Sequence, residues 1–195
     1  MKVVLKSLVI LMTALTLMRA HAPFSQYQAK GNEGLKILGR LFERYHFPTS
    51  EKENFEQLKE DWRLALNRYV VAQSKEKPLV FRDVQSHYSR ILQSGRKLCS
   101  YLESFSQDML DDFSQRLKET SRESLPPEKY TNHLSVAKRE FARAKEYLQK
   151  GHSVQAAHLY DRGIELLVGR YKQFQWPLPE KYFPRAKEMA KVAEK

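Results

Sequence analysis

Apolar residues recur every three or four positions along most of this chain, which is the pattern of helices that bury one stripe. From about Gln26 to Tyr45 the stripe is Leu35, Leu38, Leu41, Phe42 and Tyr45. A second run carries Phe55, Leu58, Trp62, Leu66 and Tyr69 and predicts a helix to about Ala72. Ser50-Glu51-Lys52-Glu53 ahead of it reads as a capping box, in which serine hydroxyl and glutamate carboxylate satisfy orphan amides. The longest run starts near Asp83 and keeps its spacing through Val84, Ile91, Leu98, Phe105, Met109, Phe113 and Leu117. Gly95 falls on that stripe, where a missing side chain allows close helix approach or a kink.

Two further helices follow. Pro126-Pro127-Glu128 opens one with Tyr130, Leu134, Ala137, Phe141, Ala144 and Leu148 on its stripe. Lys150-Gly151 stops it, with Gly151 in the left-handed capping position. Ser153 restarts the chain with Ala156, Leu159, Tyr160, Ile164, Leu167 and Tyr171. Trp176-Pro177-Leu178-Pro179 reads as a rigid extended connection, and a short last helix is expected from about Glu180 to Ala193, interrupted by Pro184. Period-two alternation is nearly absent, the exception being the short Pro78-Leu79-Val80-Phe81. The predicted fold class is therefore all-α, a bundle of five to six helices.

The first 22 residues have a different character. Lys2 and Lys6 precede the uncharged, mostly apolar run Ser7–Met18, and Ala20-His21-Ala22 supplies the small-x-small pattern that a signal peptidase reads. The expectation is a signal peptide over residues 1–22, cut after Ala22 with Ala20 and Ala22 as the small residues recognised, and a single all-helical domain over 23–195. Pro23 would hinder the cut, because its ring reshapes the extended segment that the protease grips. An uncleaved membrane anchor is the alternative, although the run of 12 residues is shorter than the roughly 20 that a span needs. The implied location is the periplasm or the extracellular space.

Charge narrows the partners. The chain carries 34 lysines and arginines against 23 acids. Losing Lys2, Lys6 and Arg19 with the signal leaves 31 against 23, a net of +8. For an exported protein this excess suits an acidic protein or an anionic membrane or wall surface rather than nucleic acid. Its charges are interspersed, and Lys36, Arg40 and Arg44 read as one solvated helix face. The single cysteine, Cys99, excludes an intramolecular disulfide and reads as a small apolar filler; pairing between chains is its functional alternative.

Candidate chemistry is thin. No two of His46, His87, His133, His152 and His158 have metal-ligand spacing, so neither metal nor cofactor is expected. Asp108 and Asp112, four apart beside Asp111, sit away from Met109 and Phe113 and are expected to face water. No nucleophile motif occurs. These readings point away from an enzyme, an envelope hydrolase being the least favoured alternative.

The residues Ala144, Tyr147, Gly151, Ala156, Tyr160 and Gly163 fall at the spacings of small, aromatic, turn, small, aromatic and small positions. On them, residues 137–170 resemble one tetratricopeptide repeat. Glu140, Arg143, Gly163 and Val168 depart from the usual aromatic, leucine, alanine and proline. The stretch from Ala156 to Leu167 is also similar to the microtubule-interacting and transport domain, a reading that export argues against. The repeat resemblance implies a protein- or peptide-binding surface on the first helix of the hairpin. The candidates for it in this sequence are Arg139, Arg143 and Glu146 beside Tyr147. Because arginine pairs bidentately with carboxylates, the expected ligand is an acidic segment or a free C-terminus. The function expected is binding of another envelope or secreted protein, with a basic peripheral protein on an anionic surface as the alternative.

Overall fold

Five helices follow one another: α1 (Lys2–Arg44), α2 (Thr49–Val71), α3 (Lys77–Thr120), α4 (Glu128–Gln149) and α5 (Ser153–Gln173). The computed structural model describes the backbone of residues 2–120 and 128–183 and the side chains of residues 23–119 and 132–183. Among these described residues there is no strand, and the chain forms an all-helical bundle.

Contacts along the helices set their directions. Phe24 meets Tyr69 and Phe42 meets Phe55, so α1 and α2 are antiparallel. Tyr27 meets Tyr88 and Tyr45 meets Phe105, so α1 and α3 run parallel. Ser153 reaches Leu92 and Tyr171 reaches Asp112, which makes α5 parallel to α3 as well. Phe141 of α4 lies on Tyr160 of α5 and Arg170 reaches His133, completing an antiparallel hairpin. Helix α3 is thus a spine with α1 and α2 along its first part and α5 along its second. The predicted stripe is its inner face: Val84, Ile91, Leu98, Leu102, Met109 and Phe113 are fully buried.

Glycines set how closely these helices approach. A Cβ on Gly31 would lie 2.2 Å from the Trp62 ring, and one on Gly163 would lie 2.3 Å from Phe141. At Gly95 the gap admits the start of α5, whose Ser153 hydroxyl donates to the Leu92 carbonyl at 2.5 Å. Close approach, not a kink, is what Gly95 supplies, since α3 continues through it.

Gly151 has φ +82° and ends α4 as expected. His152 N–H bonds the Tyr147 carbonyl at 2.9 Å and Gly151 N–H the Leu148 carbonyl at 3.0 Å, the paired bonds of a Schellman turn. The end of α5 repeats the arrangement without glycine: Gln175 has φ 56°, and Trp176 N–H bonds the Tyr171 carbonyl at 2.8 Å. The strained residue is held because Trp176 stacks on Phe174 at 4.6 Å and meets Phe113 edge-on at 5.4 Å.

Several expectations are corrected. Helix α1 begins well before Gln26, and Pro23 lies inside it. The capping box does not form. Pro48 is the N-cap, no side chain caps α2, and Ser50 is already in the first turn, where Glu51 and Lys52 N–H groups reach the Pro48 carbonyl. Helix α3 starts at Lys77 rather than Asp83, because Pro78 falls in the first turn, where its missing N–H costs nothing. The run Pro78–Phe81 is helical, not extended. Residues 180–182 form a turn rather than the start of a helix, and the rest of the expected last helix, 184–195, lies outside the described residues, as do Ser121–Ser124 and Pro126-Pro127. Of the proposed cleavage site only the backbone is described: Ala20 and Ala22 belong to α1.

Cys99 is fully buried, donates to the Ser153 carbonyl at 3.3 Å, and has its thiol pushed up to about 12 by burial and by Glu103. A thiol in that state is a packing group, and pairing between chains is closed to it in this fold. Within the residues whose side chains are described, no helix is long and apolar enough to cross a membrane.

Candidate functional site

Helix α4 turns Ala137, Phe141 and Ala144 inward onto α5 and leaves its opposite face in water. Arg139, Arg143 and Glu146 are exposed on that outer side, and Tyr147 is half-buried at its margin. The hairpin therefore brings the four candidate residues to one helix, but their states differ. Arg143 donates from Nη1 to both carboxylate oxygens of Glu140, at 3.1 and 3.4 Å. Glu140 is buried, so Arg143 is its counter-charge and is already engaged. Arg139 has no hydrogen-bond or ion-pair partner among the described residues. Tyr147 packs at a tilt against the His152 ring, with centroids 6.0 Å apart. Nearby Lys145 is paired with Glu103 of α3 at 2.8 Å. An incoming carboxylate would meet Arg139 freely and would have to compete with Glu140 for Arg143.

The acidic cluster on α3 proves to be an attachment point. Asp112 accepts from the Tyr171 hydroxyl and from Arg116 Nε, the latter at 2.8 Å. The Arg116 guanidinium also lies over the Trp176 ring at 5.8 Å. Asp108 accepts from the Tyr182 hydroxyl and pairs with Lys181 at 3.5 Å. Asp108 is exposed as expected but also holds Tyr182 in the segment after α5, while Asp112 is only half-exposed and anchors α5 itself through Tyr171. Burial, reinforced by the Asp112 carboxylate, raises the Tyr171 phenol above its ordinary range. Asp111 also stays at the surface, bonded to Gln107 at 3.1 Å.

Sequence reasoning missed one polar cluster. Asp161 of α5 is buried and accepts from the Tyr45 hydroxyl at 2.8 Å and from Arg44 at 2.7 Å. Arg44 also reaches Glu165 at 2.5 Å. Arg44 is therefore no member of a solvated face. Burial opposes its charge, but Asp161, Tyr45 and Glu165 together more than offset that and raise its pKa. Burial first, then Asp161, raises the Tyr45 phenol far above its usual range. The signal was available: Asp161 sits on the stripe Ala157, Asp161, Ile164, where an acid needs a donor across the core.

The histidines do not converge. His87 pairs with Asp83 at 3.3 Å, and His133 accepts from Arg170 at 3.1 Å, with its pKa lowered by burial and by that guanidinium. Among the described residues no three His, Cys, Asp or Glu side chains are placed to hold a metal ion. A shallow depression of about 480 Å3 follows α2 past Lys52, Glu56 and Glu60. It is one solvated helix face, on which Glu56 pairs with Lys59 and Glu60 with Arg63.

No protein-family model, curated protein or solved structure matches the chain, so the hairpin's likeness to a repeat rests on its own residues.

Proposed function

We propose that this chain is an exported, non-enzymatic helical protein that binds another envelope or secreted protein through the outward face of α4, with Arg139 taking an acidic segment or a free C-terminus. The observation that carries the reading is the isolation of Arg139. It is an exposed guanidinium with no partner among the described residues, on a helix whose described buried residues all lie on one side. A free fork of donors on a rigid helix meets a carboxylate with little ordering cost. Export is supported by Lys2, Lys6 and the apolar run Ser7–Met18. A binding role rather than catalysis fits the fate of Asp108 and Asp112, whose oxygens are taken up by tyrosine hydroxyls.

The test is capture from envelope extract with the wild-type chain and with Arg139→Glu. Arg143 is left alone, because it neutralises buried Glu140 and its loss would disturb the hairpin. Partners recovered by the wild type in low salt should fall about tenfold with Arg139→Glu and weaken as salt rises. Equal recovery by both, with the same salt dependence, rejects this face as the binding site.

A further inference from the structure

The opposite end of the bundle carries a second surface. At the connection between α2 and α3, Val70, Val71 and Leu79 are 68%, 80% and 72% exposed, in a chain that buries nearly every other large apolar residue described. Isolated exposed leucines and valines need no explanation, but these three flank one turn. Around them stand Arg68, Lys75, Lys77 and Arg82, against the acids Glu76 and Asp83. Asp83 is only loosely paired with Arg68, at 3.8 Å, and Lys77 leans over the Tyr69 ring at 5.6 Å. The tip is thus apolar at its centre and cationic at its rim.

What lies beside it in the chain names the occupant. Phe24 of α1 stacks on Tyr69 at 3.8 Å, and Tyr27 packs edge-on against Phe81 at 5.6 Å. The chain therefore enters the bundle at this end, and the residues immediately before Phe24 are those that follow the apolar run Ser7–Met18. The four cations at the rim outnumber the two acids, so the charge around the apolar tip suits an anionic surface.

We infer that the α2–α3 end is a membrane-docking surface, with Val70, Val71 and Leu79 entering the headgroup region of an anionic bilayer and the rim lysines and arginines pairing with lipid phosphates. Apolar side chains at a lipid interface gain by leaving water, and cations next to them gain from the negative surface potential. This assignment does not depend on the face of α4.

Depth-sensitive fluorescence tests it on the full-length chain. Val71→Cys, Leu79→Cys and, at the far end of α2, Lys52→Cys are each made in a Cys99→Ser background and labelled with an environment-sensitive dye. Vesicles of phosphatidylglycerol and phosphatidylcholine in equal parts, carrying a quencher on the acyl chains, are compared with phosphatidylcholine alone. Quenching at 71 and 79 should exceed that at 52 by at least about threefold on the anionic vesicles and fall on the neutral ones. Absence of vesicle binding, equal quenching at all three sites, or an unquenched tip on vesicles that carry the chain would overturn the assignment. Equal quenching on neutral and anionic vesicles would overturn its anionic part.

Discussion

The two ends of the bundle solve the same problem in opposite ways. Where α1 ends, the chain closes the core with aromatic rings and paired carboxylates. Phe105 lies under Tyr182 at 4.0 Å and against Tyr45 and Phe47, while Asp108, Asp112 and Asp161 each receive a tyrosine hydroxyl. Where α2 turns into α3, there is no lid. Val70, Val71 and Leu79 are left to solvent, and α2 ends on an extended Ala72. At the first end Asp108, Asp112 and Asp161 each have protein partners, whereas the second presents apolar carbons rimmed by charge. Beneath the exposed tip the second end is packed by Phe24 on Tyr69 and Tyr27 on Phe81, and only its outermost apolar side chains are left available.

That contrast fixes where substitutions should hurt. The largest effect belongs to Phe105→Ala, which removes the ring shared by α1, α3 and the segment after α5. It should cost about 3–5 kcal/mol, read as a lowered midpoint in urea. An unchanged midpoint would mean that this end is not closed. Next is Asp161→Ala, which leaves the buried Tyr45 hydroxyl without its acceptor while Arg44 keeps Glu165. A loss of about 2 kcal/mol is expected, and Asp161→Asn, which keeps an acceptor, should recover part of it. If both variants cost the same, the charge rather than the hydrogen bond is what the core requires. Least of all, Val71→Asp and Leu79→Asp should each shift stability by no more than about 0.5 kcal/mol, because their side chains leave the core untouched. A loss as large as that of Asp161→Ala would show that the open end is packed after all.

Sequence legibility follows the same division. The spine was readable because a stripe of period 3.6 must be buried somewhere, and Val84 to Phe113 has no other use. Gly151 was readable because a turn between two adjacent helices calls for positive φ. The closing end was not. Tyr45 and Asp161 are 116 residues apart, and nothing local couples His46 N–H to the Tyr182 carbonyl at 2.9 Å. The capping box failed for a local reason, as Pro48 had already set the helix entry that Ser50 was expected to make. At the candidate site, the four residues lie on one helix as the pattern implied. The difference between Arg139 and Arg143, however, depends on Glu140 being buried, which spacing on α4 alone did not reveal.

Helix α3 is also a ruler. Its 44 residues rise about 66 Å without interruption, at about 1.5 Å per residue. Lys145 meets Glu103 on it, and Arg139 lies six residues back along the antiparallel α4. Arg139 is therefore held roughly 45–50 Å from the α2–α3 turn. Salt at physiological strength screens charge over about 8 Å, so the two cationic surfaces do not feel one another. Whatever occupies one leaves the field at the other unchanged, and a partner on Arg139 is met well clear of anything that touches Val71 and Leu79.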